Sequence, residues 1–285
     1  MRGREFGEQV HGLKDQTDMA DYVSLNDQRQ MTITLPPLPI QHRIAEILGR
    51  LDDKIEINRR INRTLEAMAQ ALYKHWFVDF GPSRDGEFVE NEVGLVPKGW
   101  RAGTLGETAK NEKTLVDPQK VDPQTPYIGL ADMPQGNIAL DTWGIAGDSV
   151  STKSQVKRGQ ILFGKLRPYF KKVGVVPVDG VCSTDILVVV PRQAEYFSMM
   201  LCLLTQQEFI HYTEAVSDGT RMPRVSWEMM AKYPMVLPDL AATSQFDEIV
   251  RPWLETITRN VVENRALAAT RDYLLPRLLA GEVEV

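Results

Sequence analysis

An internal repeat constrains the fold of this chain more than any other feature of its sequence. When the sequence is shifted by 202 positions without gaps, Leu35-Pro36 falls on Leu237-Pro238 and Asn62-Arg63 falls on Asn264-Arg265. The shift gives 12 identities over the 43 positions from 35 to 77, which chance rarely gives without gaps. Because such a repeat encodes one structural unit twice, we expect the two segments to fold alike and to enclose a different kind of sequence.

Each copy of the repeat has the periodicity of a long coiled-coil helix. The seam positions of the first copy advance in alternating steps of four and three residues through Ile44, Leu48, Leu51, Ile55, Asn58, Asn62, Leu65, Ala69, Leu72 and Trp76. The second copy keeps these steps through Phe246, Val250, Trp253, Ile257, Asn260, Asn264, Leu267, Arg271, Leu274 and Leu278. About 33 residues at ~1.5 Å rise predict a length of about 50 Å for each helix. We expect Pro252 to kink or restart the second helix, Pro276 to end its regular part, and Arg271 to interrupt the seam.

The seam asparagines predict how the two helices pair. If the helices run antiparallel with their centres aligned, Asn58 meets Asn264 and Asn62 meets Asn260. Buried seam asparagines cost stability but penalise slipped registers, so these four residues are candidates for fixing the alignment. The alternative is that they lie at a wet edge of the seam and have no role in register.

The sequence between the predicted helices favours a mixed domain. Short apolar runs predict strands at 160–163, 173–176 and 186–190, and residues 196–212 predict an amphipathic helix. Val23-Ser24 falls on Val225-Ser226 under the same shift, so the first 34 residues resemble the closing segment of another such domain. We therefore predict an α+β chain with this organisation: residues 1–34 as the remnant tail of a preceding domain, 35–80 as the first long helix, 81–94 as a linker, 95–235 as a globular domain, and 236–285 as the second long helix with a C-terminal tail.

Motifs of the common catalytic sites are absent from the sequence. There is no P-loop, no GxGxxG after a strand, and no Asn or Asp followed by Pro-Pro and an aromatic residue. Two cysteines, Cys182 and Cys202, lie in apolar stretches and read as reduced core thiols, and four histidines (His11, His42, His75 and His211) lack the spacing of metal ligands. We expect no catalytic residue, no metal site and no cofactor in this chain. No signal peptide or membrane segment is found, which favours the cytoplasm.

Two basic segments are candidates for binding nucleic acid. The net charge of −5 excludes a uniformly basic coat, but residues 153–172 contain no acidic residue. Their basic residues are Lys153, Lys157, Arg158, Lys165, Arg167, Lys171 and Lys172. Such a run can neutralise phosphates, and Tyr169 lies within it beside Phe170; a solvated charged loop is the alternative. The segment 217–226 adds Thr220, Arg221 and Arg224, which can meet phosphates or guanine edges, although its Gly and Pro could equally just set a turn.

Several motifs together resemble the specificity subunit of type I restriction-modification enzymes. The motifs are LPPLPIQHRIAEIL at 35–48, LDDKI at 51–55, WFVDF at 76–80, PKGW at 97–100 and LLPRLLAGE at 274–282. The resemblance implies two target-recognition domains, each reading half of a split site in double-stranded DNA, held apart by antiparallel helices. It implies that those helices dock the methyltransferase subunit, which brings S-adenosylmethionine, and that a restriction subunit joins the complex.

The chain departs from the family pattern because it holds one complete recognition domain. It is therefore expected to be a fragment, a truncated product, or a half-subunit that pairs with a copy of itself as a homodimer. The favoured function is half-site DNA recognition by a non-catalytic subunit. The alternative is a truncated assembly or competitor protein that binds partner subunits without selecting DNA, and a stand-alone enzyme is least favoured because the catalytic motifs are absent.

Overall fold

The computed structural model describes residues 4–13, 22–32, 35–147, 151–219 and 221–284. The α-helices in these ranges are α1 (Arg4–Gly12), α2 (Leu25–Gln30), α3 (Leu38–Tyr73), α4 (Leu105–Thr108), α5 (Phe197–Leu204), α6 (Gln207–Ala215), α7 (Trp227–Met230) and α8 (Leu240–Leu279). The strands are β1 (Phe88–Asn91), β2 (Gly94–Pro97), β3 (Arg101–Thr104), β4 (Ala109–Asn111), β5 (Leu115–Val116), β6 (Pro126–Ile128), β7 (Gly144–Ile145), β8 (Lys153–Val156), β9 (Ile161–Gly164), β10 (Val173–Val175), β11 (Gly180–Ser183), β12 (Ile186–Pro191) and β13 (Pro234–Leu237). In the described ranges, no helix has the length and apolar character needed to cross a bilayer.

The two long helices begin at equivalent positions of the repeat. Helix α3 starts at Leu38 and α8 starts at Leu240, which are the same position under the shift of 202. They contain 36 and 40 residues, and a π-helical turn from Lys74 to Val78 follows α3. The predicted α+β class with two long helices is confirmed.

The prediction that Pro276 ends the regular part of the second helix is wrong, and Pro252 does not restart the helix. Helix α8 runs through Pro252 and Pro276 and ends at Leu279. A helical proline cannot donate a backbone hydrogen bond to the carbonyl four residues before it. Both prolines are exposed, so water can satisfy the carbonyls that they leave without a donor.

The predicted seam is the buried face of both helices. All twenty of its positions are buried or half-buried. Asn260 donates through Nδ2 to Oδ1 of Asn62 at 2.8 Å, and Asn58 donates through Nδ2 to Oε2 of Glu263 at 2.8 Å. As the first helix advances from 58 to 62 its partner recedes from 263 to 260, so the helices are antiparallel here. Asn264 is also buried, and the role of the four asparagines in register stays a prediction.

Four sheets lie between the long helices in sequence. The two larger ones have the strand orders β10-β9-β12-β4 and β5-β8-β11-β6-β7, and the smaller ones pair β1 with β2 and β13 with β3. All pairings are antiparallel except that of β11 with β6. The strands predicted at 160–163, 173–176 and 186–190 are confirmed as β9, β10 and β12. One basic loop precedes strand β9 and another follows it, so the two loops lie at opposite ends of this strand.

The chain forms two compact units, residues 58–263 and residues 1–57 with 264–285. In the first, the end of α3 and the start of α8 share a core with the domain between them: Phe77 and Phe246 have ring centroids 4.9 Å apart, and Phe77 and Trp100 5.8 Å. Residues 196–212 form not one amphipathic helix but two helices broken at 205–206, and every residue of α5 is buried because it fills this core. The domain boundaries predicted from the sequence stay a prediction.

The second unit, residues 1–57 with 264–285, explains why the seam tolerates Arg271. Its guanidinium reaches out of the seam and contacts the Asp52 carboxylate, with Nη1 and Oδ1 2.6 Å apart. The same unit shows that the repeat extends upstream of the helix. Ser24 accepts a capping bond from the backbone of Asp27, as Ser226 does from Met229, and both pairs coincide under the shift of 202.

Candidate nucleic-acid interface

Two basic loops that are far apart in the sequence are paired in the structure. Residues 164–172 follow β9, and residues 217–226 precede α7; we call them the paired loops. Leu166 and Arg224 form an antiparallel β-bridge. The backbone N–H of Arg167 donates to the carbonyl of Pro223 at 2.8 Å, and that of Val225 donates to the carbonyl of Lys165 at 3.1 Å. The pairing therefore brings the two loops together and places Lys165 near Arg224, whereas Thr220 lies outside the described residues.

Two carboxylates lie among the charges of the paired loops, because Asp218 is exposed within the second loop and Asp185 contacts Arg224. Arg224 contacts Asp185 through Nη2 and Oδ1 at 2.9 Å, and about half of its side chain remains exposed. Burial lowers the pKa of Lys165, while Asp185 partly restores it and Arg224 and Lys113 lower it further. Lys113 thus acts electrostatically on this surface although it lies outside both basic segments, so sequence reasoning missed it. Arg221 is exposed beside Arg224 in the chain. The surface is cationic, with Asp185 fixing the orientation of its arginine.

A rigid turn projects from the first paired loop. Residues Pro168–Phe170 form one turn of 3₁₀-helix, and the residues on either side of it, Arg167 and Lys171, adopt left-handed φ angles of 51° and 48°. Each left-handed residue other than glycine costs about 1 kcal/mol, so the surrounding contacts must hold the turn in place. The Nε of Arg167 is buried without a hydrogen-bond partner in the described residues. Tyr169 stands on the outer side of this turn and is exposed.

The rest of the basic run does not reach this surface. The structure contradicts the prediction for Lys153: its side chain is buried, with Nζ 5.0 Å from the centroid of the Tyr127 ring, because β8 is an inner strand of its sheet. Lys172 donates through Nζ to the carbonyl of Leu130 at 2.5 Å, so its charge is engaged within the protein. Lys157 and Arg158 lie before β9, at the opposite end of that strand from the paired loops.

Lys157 and Arg158 instead line a cavity beside α8. The cavity has a volume of about 760 Å³, and Arg251 and Arg259 also line it. Arg251 is already paired with Asp247, with Nε and Oδ2 2.6 Å apart. Strand β9 lies within the basic segment 153–172 and therefore separates Lys157 and Arg158, beside the cavity, from the basic residues of the paired loops.

The titratable groups give no indication of a metal or thiol site. Across the described ranges, no three His, Cys, Asp or Glu side chains are grouped closely enough to hold a metal ion. Cys182 and Cys202 are buried free thiols. Burial raises the pKa of Cys182 to about 12 and raises that of Cys202 further, which keeps both as unreactive thiols near neutral pH.

Comparison with known proteins connects this architecture to one family. Residues 20–67 match the model of the type I restriction modification DNA specificity domain. The chain is 26% identical over 271 residues to the type I restriction enzyme MjaIX specificity subunit of Methanocaldococcus jannaschii, covering 90% of this chain and 62% of that protein. It is 25% identical over 329 residues to the HindI specificity subunit of Haemophilus influenzae, covering 92% of this chain and 71% of that protein. This chain is therefore similar to type I specificity subunits over most of its length, and to their family model over residues 20–67.

A solved specificity subunit has the same fold. The crystal structure of the type I restriction-modification S subunit from M. genitalium superposes with a TM-score of 0.53 at 17% identity, covering 97% of this chain and 70% of that one. The chain spans 62% of the length of the MjaIX subunit and 71% of the HindI subunit. The segment matched by the family model contains α2 and most of α3. The paired loops lie outside it, so their assignment as an interface depends on their geometry.

Proposed function

We propose that this chain is a type I specificity subunit that recognises double-stranded DNA and reads one half of a split site. The observation that carries the proposal is the pairing of two basic loops into one surface around a rigid aromatic turn. Cations of this kind supply affinity for the phosphate backbone, and arginines beside them can contact base edges. Arg221 and Arg224 are the best candidates for contacting both a phosphate and a base edge, because their side chains are exposed and each guanidinium carries several N–H donors.

The long helices are proposed to dock the methyltransferase subunit. Ile61 and Met68, seven residues apart on α3, are 40% and 44% exposed, which leaves an apolar strip on the outer face of the helix. In this proposal the chain is non-catalytic and cytoplasmic, the methyltransferase holds S-adenosylmethionine, and the restriction subunit joins through the complex. A second copy of the chain, paired as a homodimer, would supply the other half of the recognition surface.

Salt-dependent binding tests the DNA surface directly. The purified chain is titrated with duplex DNA at several salt concentrations, and the slope of log K against log salt is compared among variants. Each lost phosphate contact lowers that slope by about 0.9. Replacement of Arg221 and Arg224 by alanine removes two contacts and should therefore reduce the magnitude of the slope by about 1.8. The matched control, Lys157→Ala with Arg158→Ala, removes the same charge from the other end of β9 and should leave the slope unchanged.

Two outcomes would overturn this proposal. If the control pair flattens the slope and the arginine pair does not, the DNA surface lies at the cavity beside α8. If the chain co-purifies with the methyltransferase but selects no DNA sequence, the assembly or competitor alternative is correct. Simultaneous replacement of Lys165, Arg167, Lys171 and Lys172 is a poorer test, because the Lys172 side chain also donates to the carbonyl of Leu130 and the Nε of Arg167 is buried.

A further inference from the structure

The turn at the centre of the paired loops exposes two neighbouring aromatic rings. Tyr169 is 44% exposed and Phe170 is 37% exposed. Their ring centroids are 4.7 Å apart and their planes are tilted by 60°, so the two rings form one apolar projection. Large aromatic side chains usually contribute to a core, and an exposed adjacent pair is characteristic of a binding surface.

The backbone beneath these rings is held firmly. The N–H groups of Phe170 and Lys171 donate to the carbonyls of Arg167 and Pro168 at 3.0 and 2.8 Å, which closes the turn. The carbonyl of Lys171 accepts a bond from Gly136 at 3.3 Å, and Pro168 is buried. Left-handed residues on both sides complete the turn. A projection built in this way keeps its shape when it meets a ligand, and strained backbone of this type occurs at binding sites.

Cations flank the aromatic pair. Lys171 follows it directly in the chain, Arg167 precedes the turn, and the second paired loop contributes Arg221 and Arg224. A phosphate backbone attracted by these charges would bring the bases of the duplex toward the two rings. The phenyl ring of Phe170 has no hydrogen-bonding group, so it cannot read the edge of a base through a hydrogen bond. It can stack on a base, since every base has a π-face.

We propose that Tyr169 and Phe170 form a wedge that enters the duplex between neighbouring base pairs, partly unstacks them and kinks the DNA. This inference rests on the proposed function, since it places the wedge within the DNA surface. Apolar wedges of this kind bend DNA in other binding proteins, and the unstacking is easiest at pyrimidine–purine steps. The wedge therefore selects sequence at one step through deformability, without a base-specific hydrogen bond. Tyr169 and Phe170 are specificity-determining residues in this account.

The experiment measures the shape of the bound DNA together with affinity. The full chain is bound to a duplex carrying its recognition site, which is identified by mapping the adenines that a methyltransferase subunit modifies when reconstituted with this chain. Fluorescent dyes at the two ends report the end-to-end distance by energy transfer, and 2-aminopurine placed at successive positions reports local unstacking. We compare the wild type with Tyr169→Ala/Phe170→Ala, Tyr169→Phe and Arg221→Ala.

The wild-type complex should shorten the end-to-end distance and raise 2-aminopurine fluorescence at one step. The double alanine variant should lose both effects and bind about tenfold to a hundredfold more weakly, with an unchanged salt slope. Tyr169→Phe keeps both rings and should retain the kink. Arg221→Ala should lower the salt slope by about 0.9 and retain the kink.

Three results separate the possible failures. If the wild type binds its site without any shortening or fluorescence increase, the wedge is refuted while DNA recognition stands. The wedge is also refuted if the double alanine variant kinks the DNA as the wild type does. If the wild type binds no DNA, both the wedge and the proposed function fail. Because both rings are exposed, the variants should fold, and their thermal melting should match that of the wild type.

Discussion

The fold should lose stability as the pH rises from about 4.5 to about 7 because of one half-buried carboxyl group. Glu66 lies on α3, and the backbone N–H of Ile138 donates to its Oε2 at 3.3 Å. Burial raises the pKa of Glu66 from its ordinary value of 4.5 to about 7, and this hydrogen bond lowers it only in part. No side-chain cation is among the causes of the shift, so desolvation dominates.

The sign and size of the effect follow from the two pKa values. In the unfolded chain Glu66 loses its proton near 4.5, whereas in the folded protein it keeps it to about 7. The folded state therefore binds more protons between these values, and stability falls as the pH rises across this window. The stabilisation is fully present below the unfolded pKa and is lost through the folded one. A difference of about 2.5 pKa units corresponds to at most about 3 kcal/mol.

The perturbation is Glu66→Gln, which keeps an acceptor for the Ile138 N–H and removes the charge. Urea denaturation at pH values from about 4.5 to about 7 should show a steeper loss of stability for the wild type than for the variant. Above the folded pKa the variant should be the more stable protein, by up to about 3 kcal/mol. Glu90→Gln, at an exposed position of β1, is the matched control and should leave the pH dependence of the wild type unaltered. Parallel curves for the wild type and Glu66→Gln would refute the reasoning.

Two further predictions concern packing. Asn62→Ala leaves the buried amide of Asn260 without its acceptor and should lower the free energy of unfolding by about 1–3 kcal/mol. A double-mutant cycle with Asn260→Ala, measured by urea denaturation, should give a coupling free energy of at least about 0.5 kcal/mol. Strictly additive losses in the two single variants would mean that the pair contributes nothing jointly. Gly180→Ala places a Cβ 2.3 Å from the backbone oxygen of Pro126 and should cost about 1–3 kcal/mol. Gly144→Ala meets open space and serves as its control, and equal melting temperatures for the two glycine variants would contradict the packing argument.

The long helices could be predicted because their determinants are local and repeated. Steps of four and three residues identify one helical face, and the repeat supplies the same pattern twice. The pairing of Asn62 with Asn260 followed from an antiparallel arrangement with a shared centre, and the structure contains this hydrogen bond. Pro276 was misjudged because a proline near the end of an exposed helix removes one hydrogen bond without ending the helix.

The candidate interface could be predicted only in part. The sequence identified the basic residues, but which of them share a surface depends on the strands that they flank. Lys153 is buried by the sheet around β8, and the two ends of β9 carry Arg158 and Lys165 to different places. The bridge between Leu166 and Arg224 is a long-range contact, and no local pattern in one sequence encodes it. The contribution of Lys113 is missed for the same reason.

Mapping of methylated adenines tests the central claim most directly. The chain is reconstituted with a type I methyltransferase subunit, and the modified DNA is sequenced with and without the change of Arg221 and Arg224 to alanine. We expect methylation to depend on this chain and to fall within one split sequence, which is palindromic if two copies pair, and we expect the arginine variant to lose that sequence preference. Methylation that is independent of the chain, or that retains the same sequence preference in the variant, would contradict recognition of DNA by the paired loops.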